Sequence, residues 1–114
     1  MFNLVEEVSI YRKAIFECLA QASNSKEESR KKIIESKELC LVLHSLSDSH
    51  YKVLIADLSL ILSLSRSQKA MKNILLDYDI NDTLFKLSNN NNIDIQIAST
   101  NPLCNFLLET VNCN

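Results

Sequence analysis

Cys40 and His44 stand four residues apart, a spacing that would set two metal-ligating side chains on one helix face, and His50 follows closely. A tetrahedral zinc site needs four such ligands, and no second Cys or His pair completes it, so a core cysteine beside a partly exposed histidine is expected. Asp77, Asp79 and Asp82 offer the hard oxygens that calcium prefers. Their loop lacks the turn Gly and the closing Glu of an EF-hand, and helix termination and capping account for the acids. Ser, His and Asp all occur, but no local nucleophile motif does, and with zero Gly there is no loop to cradle a phosphate. The Glu27-Glu28-Ser29-Arg30-Lys31-Lys32 run reads as a solvated outer face. No enzyme, cofactor or bound metal is expected.

The elements that carry these residues follow from composition. In 114 residues there is no Gly and a single Pro, Pro102. An all-β chain of this length would need several positive-φ turn positions, which Gly normally fills, so helices are the natural reading. A hydrophobic share of 46% makes global disorder improbable, and a formal net charge of -2 gives no basic face for nucleic acid. Cys18, Cys40, Cys104 and Cys113 form no CxxC pair, which suits reduced thiols and a cytoplasmic or nuclear setting. The first residues are acidic and lack a signal-peptide core. The longest apolar stretch, from Val53 to Leu64, is broken by Asp57 and too short for a bilayer, so no membrane partner is expected.

The chain repeats itself. Ala14, Ala56 and Ala98 lie 42 residues apart, each followed five residues later by Leu19, Ile61 or Leu103, and Ile33-Ile34-Glu35 meets Leu75-Leu76-Asp77 in the same register. A period near this length belongs to armadillo and HEAT arrays. Hydrophobic periodicity predicts helices over about 7–22, 26–35, 37–47, 51–65, 67–77 and 80–88, with a last long helix from about Ile93. The domain reading is a first repeat at 7–50, a second at 51–92 and a partial third at 93–114. The 51–65 helix is apolar nearly all round and must be covered on several sides. Leu58, Ile61, Leu62 and Leu64 should be among the most buried residues, and each marker alanine should pack against a neighbouring helix.

The register also aligns polar residues. Three positions after the marker alanines come Glu17, Ser59 and Asn101, and seven after come Gln21, Ser63 and Asn105. Positions three and seven share one helix face, so stacked repeats would present a polar ladder.

Two phrases carry a more particular likeness: Ser63-Leu64-Ser65-Arg66-Ser67 and Leu103-Cys104-Asn105-Phe106-Leu107-Leu108-Glu109. In their order, separated by a charged helix and Leu75-Leu76-Asp77, they resemble the armadillo repeat-containing protein 8 family, scaffold subunits of the CTLH ubiquitin ligase complex, called GID in yeast. The resemblance implies an all-α, armadillo-type solenoid of about two and a half repeats, a fragment of a longer scaffold. Its function would be to hold ubiquitin ligase subunits or a substrate receptor without catalysis. It further implies a partner-binding groove of Gln21, Ser63 and Asn105, flanked by Glu17, Ser59, Asn101 and Arg66. Amides suit such a groove because each both donates and accepts. The chain departs from the family at Pro102, which predicts a last helix that either kinks or begins there.

Two other readings stay open: a generic armadillo adaptor for an extended peptide, and a self-contained helical regulatory bundle. A solenoid fragment, unlike a bundle, would leave Val5, Val8, Tyr11 and Ile15 uncovered at one end and Leu103, Phe106, Leu107 and Leu108 at the other. That predicts self-association through apolar end faces.

Overall fold

The computed structural model describes residues 4–47 and 50–112. In chain order the elements are α1 (Leu4–Ser25), α2 (Glu27–Glu35), α3 (Leu39–His44) with a 3-10 turn at Ser45–Ser47, α4 (Tyr51–Leu64), α5 (Gln68–Tyr78), α6 (Ile80–Leu87) and α7 (Ile93–Asn112). There is no strand among the described residues.

Local chemistry sets the boundaries. Glu27 and Glu28 open α2 and Lys32 closes it, so charge opposes the helix dipole at both ends. The α5–α6 corner turns on Asp79, whose φ of 47° is left-handed. That conformation usually falls to Gly, and Asp is among the few other residues that adopt it readily. The Asn89–Asn92 stretch builds the start of α7. Asn92 Oδ1 accepts from the backbone N–H of Asp94 at 2.9 Å and Ile95 at 3.4 Å, while Asn90 Oδ1 accepts from Asn92 N–H at 2.8 Å.

Pro102 does not start the last helix. α7 runs unbroken from Ile93 to Asn112 with the proline inside it. Ile95, Ser99, Leu103 and Phe106 are buried along one side, before and after the proline, and this shared packing holds both halves in one helix. Burial thus offsets the roughly 3 kcal/mol that an interior proline costs.

The core centres on α4, which lies between α1 and α7. Val53, Leu58, Leu60, Ile61 and Leu64 are fully buried, joined by Phe16 and Ala20 from α1 and by Ile95, Leu103 and Phe106 from α7. Leu62 departs from expectation and is only half-buried. It lies on the helix stripe of Ile55, Ser59 and Arg66, which are half-buried or exposed, so it sits at the open edge of α4. The marker alanines also divide: Ala56 is buried, Ala98 is half-buried against the core, and Ala14 is exposed. Ala14 faces outward because α4 occupies the opposite side of α1. The stack measures 55 × 32 × 23 Å, elongated as a linear array of helices should be.

Candidate partner-binding surface

The three long helices are joined by hydrogen bonds at the same pair of register positions in each seam, with the direction reversed. Ser23 Oγ donates to Ser63 Oγ at 2.6 Å between α1 and α4, and Asn105 Nδ2 donates to Ser65 Oγ at 2.8 Å between α4 and α7. In the 42-residue register Ser63 and Asn105 are equivalent, and so are Ser23 and Ser65. Each later helix therefore meets the earlier one two positions further along. Ser67 and Glu27 obey the same offset, with Ser67 Oγ donating to Glu27 Oε2 at 3.0 Å.

Around that last contact lies a small clasp. Arg30 donates through Nε to Ser67 Oγ at 2.8 Å, through Nη1 to the Ser23 carbonyl at 2.8 Å, and through Nη2 to Glu27 Oε2 at 2.7 Å. The hydrogen bonds from Arg30 and Ser67 hold the Glu27 carboxyl below its ordinary pKa. One planar guanidinium thus ties the α1–α2 corner to the α4–α5 corner.

The predicted ladder divides into two rows with different duties. Ser63 is buried and bonded to Ser23, and Asn105 is half-buried with its amide on Ser65 and its carbonyl accepting from Gln68 Nε2 at 3.1 Å. Ser63 is therefore not on an open groove. Its hydroxyl belongs to the helix seam because α1 packs directly over it. Gln21, the equivalent residue of α1, is exposed, and Arg66 is exposed at the turn after α4.

Glu17, Ser59 and Asn101 form the other row, and all three are exposed. Glu17 and Ser59 line one cleft of about 300 Å³ between α1 and α4, with Lys13, Tyr51, Lys52, Ile55 and Ala56. Asn101 lines a second, of about 320 Å³, with Ser88, Gln96, Ile97 and Thr100. Ile55 and Ser59 in the first cleft are the register equivalents of Ile97 and Asn101 in the second, so one edge of the stack repeats the same shallow feature. Lys13 pairs with Glu17 at 3.1 Å, and Tyr51 donates to Asp94 Oδ2 at 2.7 Å across α4 and α7. The bond to the Asp94 carboxylate raises the Tyr51 pKa. Lys13, Tyr51 and Lys52 were not among the expected site residues; the i,i+4 spacing of Lys13 to Glu17 is a signal that could have found the first, and the other two carry none.

Cys40 is not the core cysteine expected but is exposed on α3, where its thiol sits 3.1 Å from the Tyr78 hydroxyl, a contact that raises the Tyr78 pKa. His44 is exposed, His50 is half-buried, and Asp82 pairs with Lys86 at 3.4 Å. Among the described residues no group of three or more His, Cys, Asp or Glu is placed to hold a metal, and no helix is long and apolar enough to cross a membrane.

Known proteins share this pattern. The chain is 33% identical over 99 residues, or 86% of its length, to Armadillo repeat-containing protein 8 of Xenopus laevis. The chain is homologous to a segment of armadillo repeat-containing protein 8. The Danio rerio protein of that name gives 32% identity over 86% of the chain, and GID complex subunit 5 of Schizosaccharomyces pombe gives 28% over 91%. The helical stack is accordingly an armadillo-type repeat array. The chain spans only 14%, 15% and 13% of these three relatives' own lengths. No family profile matches the chain, and no solved structure matches it.

Proposed function

We propose that the chain is a non-catalytic scaffold segment that holds protein subunits, or a substrate receptor, of a GID/CTLH-type ubiquitin ligase in position. The observation that carries this reading is the homology over most of the chain to armadillo repeat-containing protein 8 and to a GID complex subunit. The repeated edge supplies a surface suited to it. Glu17, Ser59 and Asn101 recur one per repeat beside two shallow clefts, so a partner lying along the stack meets the same polar group at each step. Gln21 and Arg66 flank that row, while Asn105 and Ser63 support it by fixing the spacing of the helices. A second reading, capture of an extended peptide, is favoured by the same recurrence, because an extended chain engages evenly spaced sites. Exposed cysteines outside any disulfide, Cys18, Cys40 and Cys104, suit a reducing cytoplasmic or nuclear setting.

The test is co-purification of the tagged chain with GID/CTLH subunits of the same cells. Retention of subunits is expected, and the double variant Glu17→Arg with Asn101→Arg should reduce it about tenfold, the loss of one or two interface anchors. Asn105→Ala should instead lower the melting temperature. Retention unchanged by the double variant would move the binding face elsewhere, and no retention at all would contradict the ligase reading.

A further inference from the structure

α4 already has a neighbour on each side, α1 and α7, so any repeat added to the array would stack beyond those two and leave the open edge of α4 uncovered. That edge is a single helix stripe of Lys52, Ile55, Ser59, Leu62 and Arg66. Lys52 and Arg66 stand exposed at its two ends, Ile55 and Leu62 are half-buried between them, and Ser59 is exposed at the centre. The stripe therefore holds two cations and no acid in a chain whose formal net charge is -2. Among the described residues, neither the Lys52 nor the Arg66 side chain has a hydrogen-bond or ion-pair partner. The acids beside it on the neighbouring helices are already engaged. Glu17 of α1 pairs with Lys13 at 3.1 Å, and Asp94 of α7 accepts from the Tyr51 hydroxyl at 2.7 Å.

We infer that this edge takes an extended segment of a partner protein in which two carboxylates flank two apolar side chains, in the pattern acid-x-apolar-x-apolar-x-acid. Spacing sets the pattern. Lys52 and Arg66 are fourteen residues apart, which is about 21 Å along a helix axis. Alternate residues of an extended chain share one face at intervals of about 6.6 Å, so four of them span about 20 Å. The outer carboxylates then fall near Lys52 and Arg66, and the inner apolar side chains near Ile55 and Leu62. The cleft between α1 and α4 suits such a chain. At about 300 Å³ it admits side chains and a thin backbone, whereas a helix about 10–12 Å across would ride above it. This inference rests on the reading of this edge as a protein-binding surface, and adds the chemistry of what it binds.

Fluorescence anisotropy of the full chain with a capped, labelled peptide, Asp-Ser-Leu-Ser-Leu-Ser-Asp, tests it. Saturable binding that weakens with salt is expected. Lys52→Gln and Arg66→Gln should each weaken binding about threefold, the scale of one exposed ion pair, and a peptide with Asn for both Asp should bind about tenfold more weakly. The pairing should also be specific. With Asn in place of the first Asp only one of the two variants should still weaken binding, and with Asn in place of the last Asp only the other should. Circular dichroism of each variant matching wild type shows that lost binding is not lost fold. No saturable binding at millimolar peptide, equal affinity for the Asn peptide, or variant effects that ignore which Asp is present would overturn the proposal. Co-purification with GID/CTLH subunits separates this inference from the ligase reading. Subunits retained by wild type and lost from the double variant Lys52→Glu with Arg66→Glu would support both. Equal retention by that variant would contradict this inference alone. No retention by wild type would contradict the ligase reading, and the peptide titration would still decide this one.

Discussion

α1 and α4 hold the same register positions and pack against each other, yet the same face has opposite fates in the two helices. Asp57 is fully buried in α4, while its equivalent in α1, Ile15, is 54% exposed. Residue type alone would assign these two the other way round. Burial in this array is therefore set by whether a helix lies on that side, and only secondarily by the hydrophobicity of the residue. The same contrast separates Leu60 from Cys18 and Ser63 from Gln21.

Core truncation should break the symmetry of this pair most strongly. Leu60→Ala removes a fully buried side chain from the middle helix and should cost about 2–5 kcal/mol in denaturant unfolding. Cys18→Ala, at the equivalent exposed position, should stay within about 0.5 kcal/mol. Comparable losses at both positions would mean that α1 is covered on its outer side.

Overpacking gives a smaller effect of the same kind. Ala56→Leu forces a branched side chain into the α1–α4 contact and should destabilise by about 1–3 kcal/mol. Ala14→Leu has open space before it and should change stability by less than about 0.5 kcal/mol. Thermal melts of the two variants at a matched low concentration make the comparison direct.

The seam bonds come next. Ser63→Ala leaves the Ser23 hydroxyl, itself buried, without its cross-helix acceptor, and Asn105→Ala removes the amide that donates to the buried Ser65 hydroxyl. Each should cost about 1 kcal/mol, read as a shift in denaturation midpoint at constant slope. If the Asn105 variant is instead as stable as wild type and only partner binding suffers, the amide belongs to a groove.

The smallest expected effect is the pH dependence of the clasp. The Glu27 pKa is lowered in the folded chain, so its contribution is fully present above the ordinary carboxylate range and is lost as pH falls through the lowered value. Glu27→Gln should flatten the acid limb of the melting-temperature profile and leave the neutral region nearly unchanged, since the group is solvent-exposed.

Much of this architecture was legible in the sequence because it depends on periodicity. Helix positions, the 42-residue recurrence and the all-round apolarity of α4 are local patterns, and the structure reproduces them to within a few residues at most ends. Sidedness was not legible. The polar ladder was expected to lie open along both of its rows, but Ser63 and Asn105 tie one helix to the next, and a serine bonding across an interface reads like a serine in water. Ala14 and Leu62 were misplaced for the same reason, since nothing in their own helices states which neighbour covers them. At the far end, Leu103 and Phe106 were expected to be uncovered, yet both turn inward onto α4 while Leu107 and Leu108 stay exposed. At the near end, Val8, Tyr11 and Ile15 are exposed as expected, and the side chain of Val5 lies outside the described residues.

Native-state hydrogen exchange resolved along the long helices tests most directly the claim that neighbours determine burial. Amides of Leu58 to Leu64 in α4 should exchange only through global unfolding, and those of α1 and α7 should open earlier and at lower free energy. This order should hold at concentrations where the chain is monomeric. Protection in α4 no greater than in α1 would contradict the account, because α4 would then have no neighbours that α1 lacks.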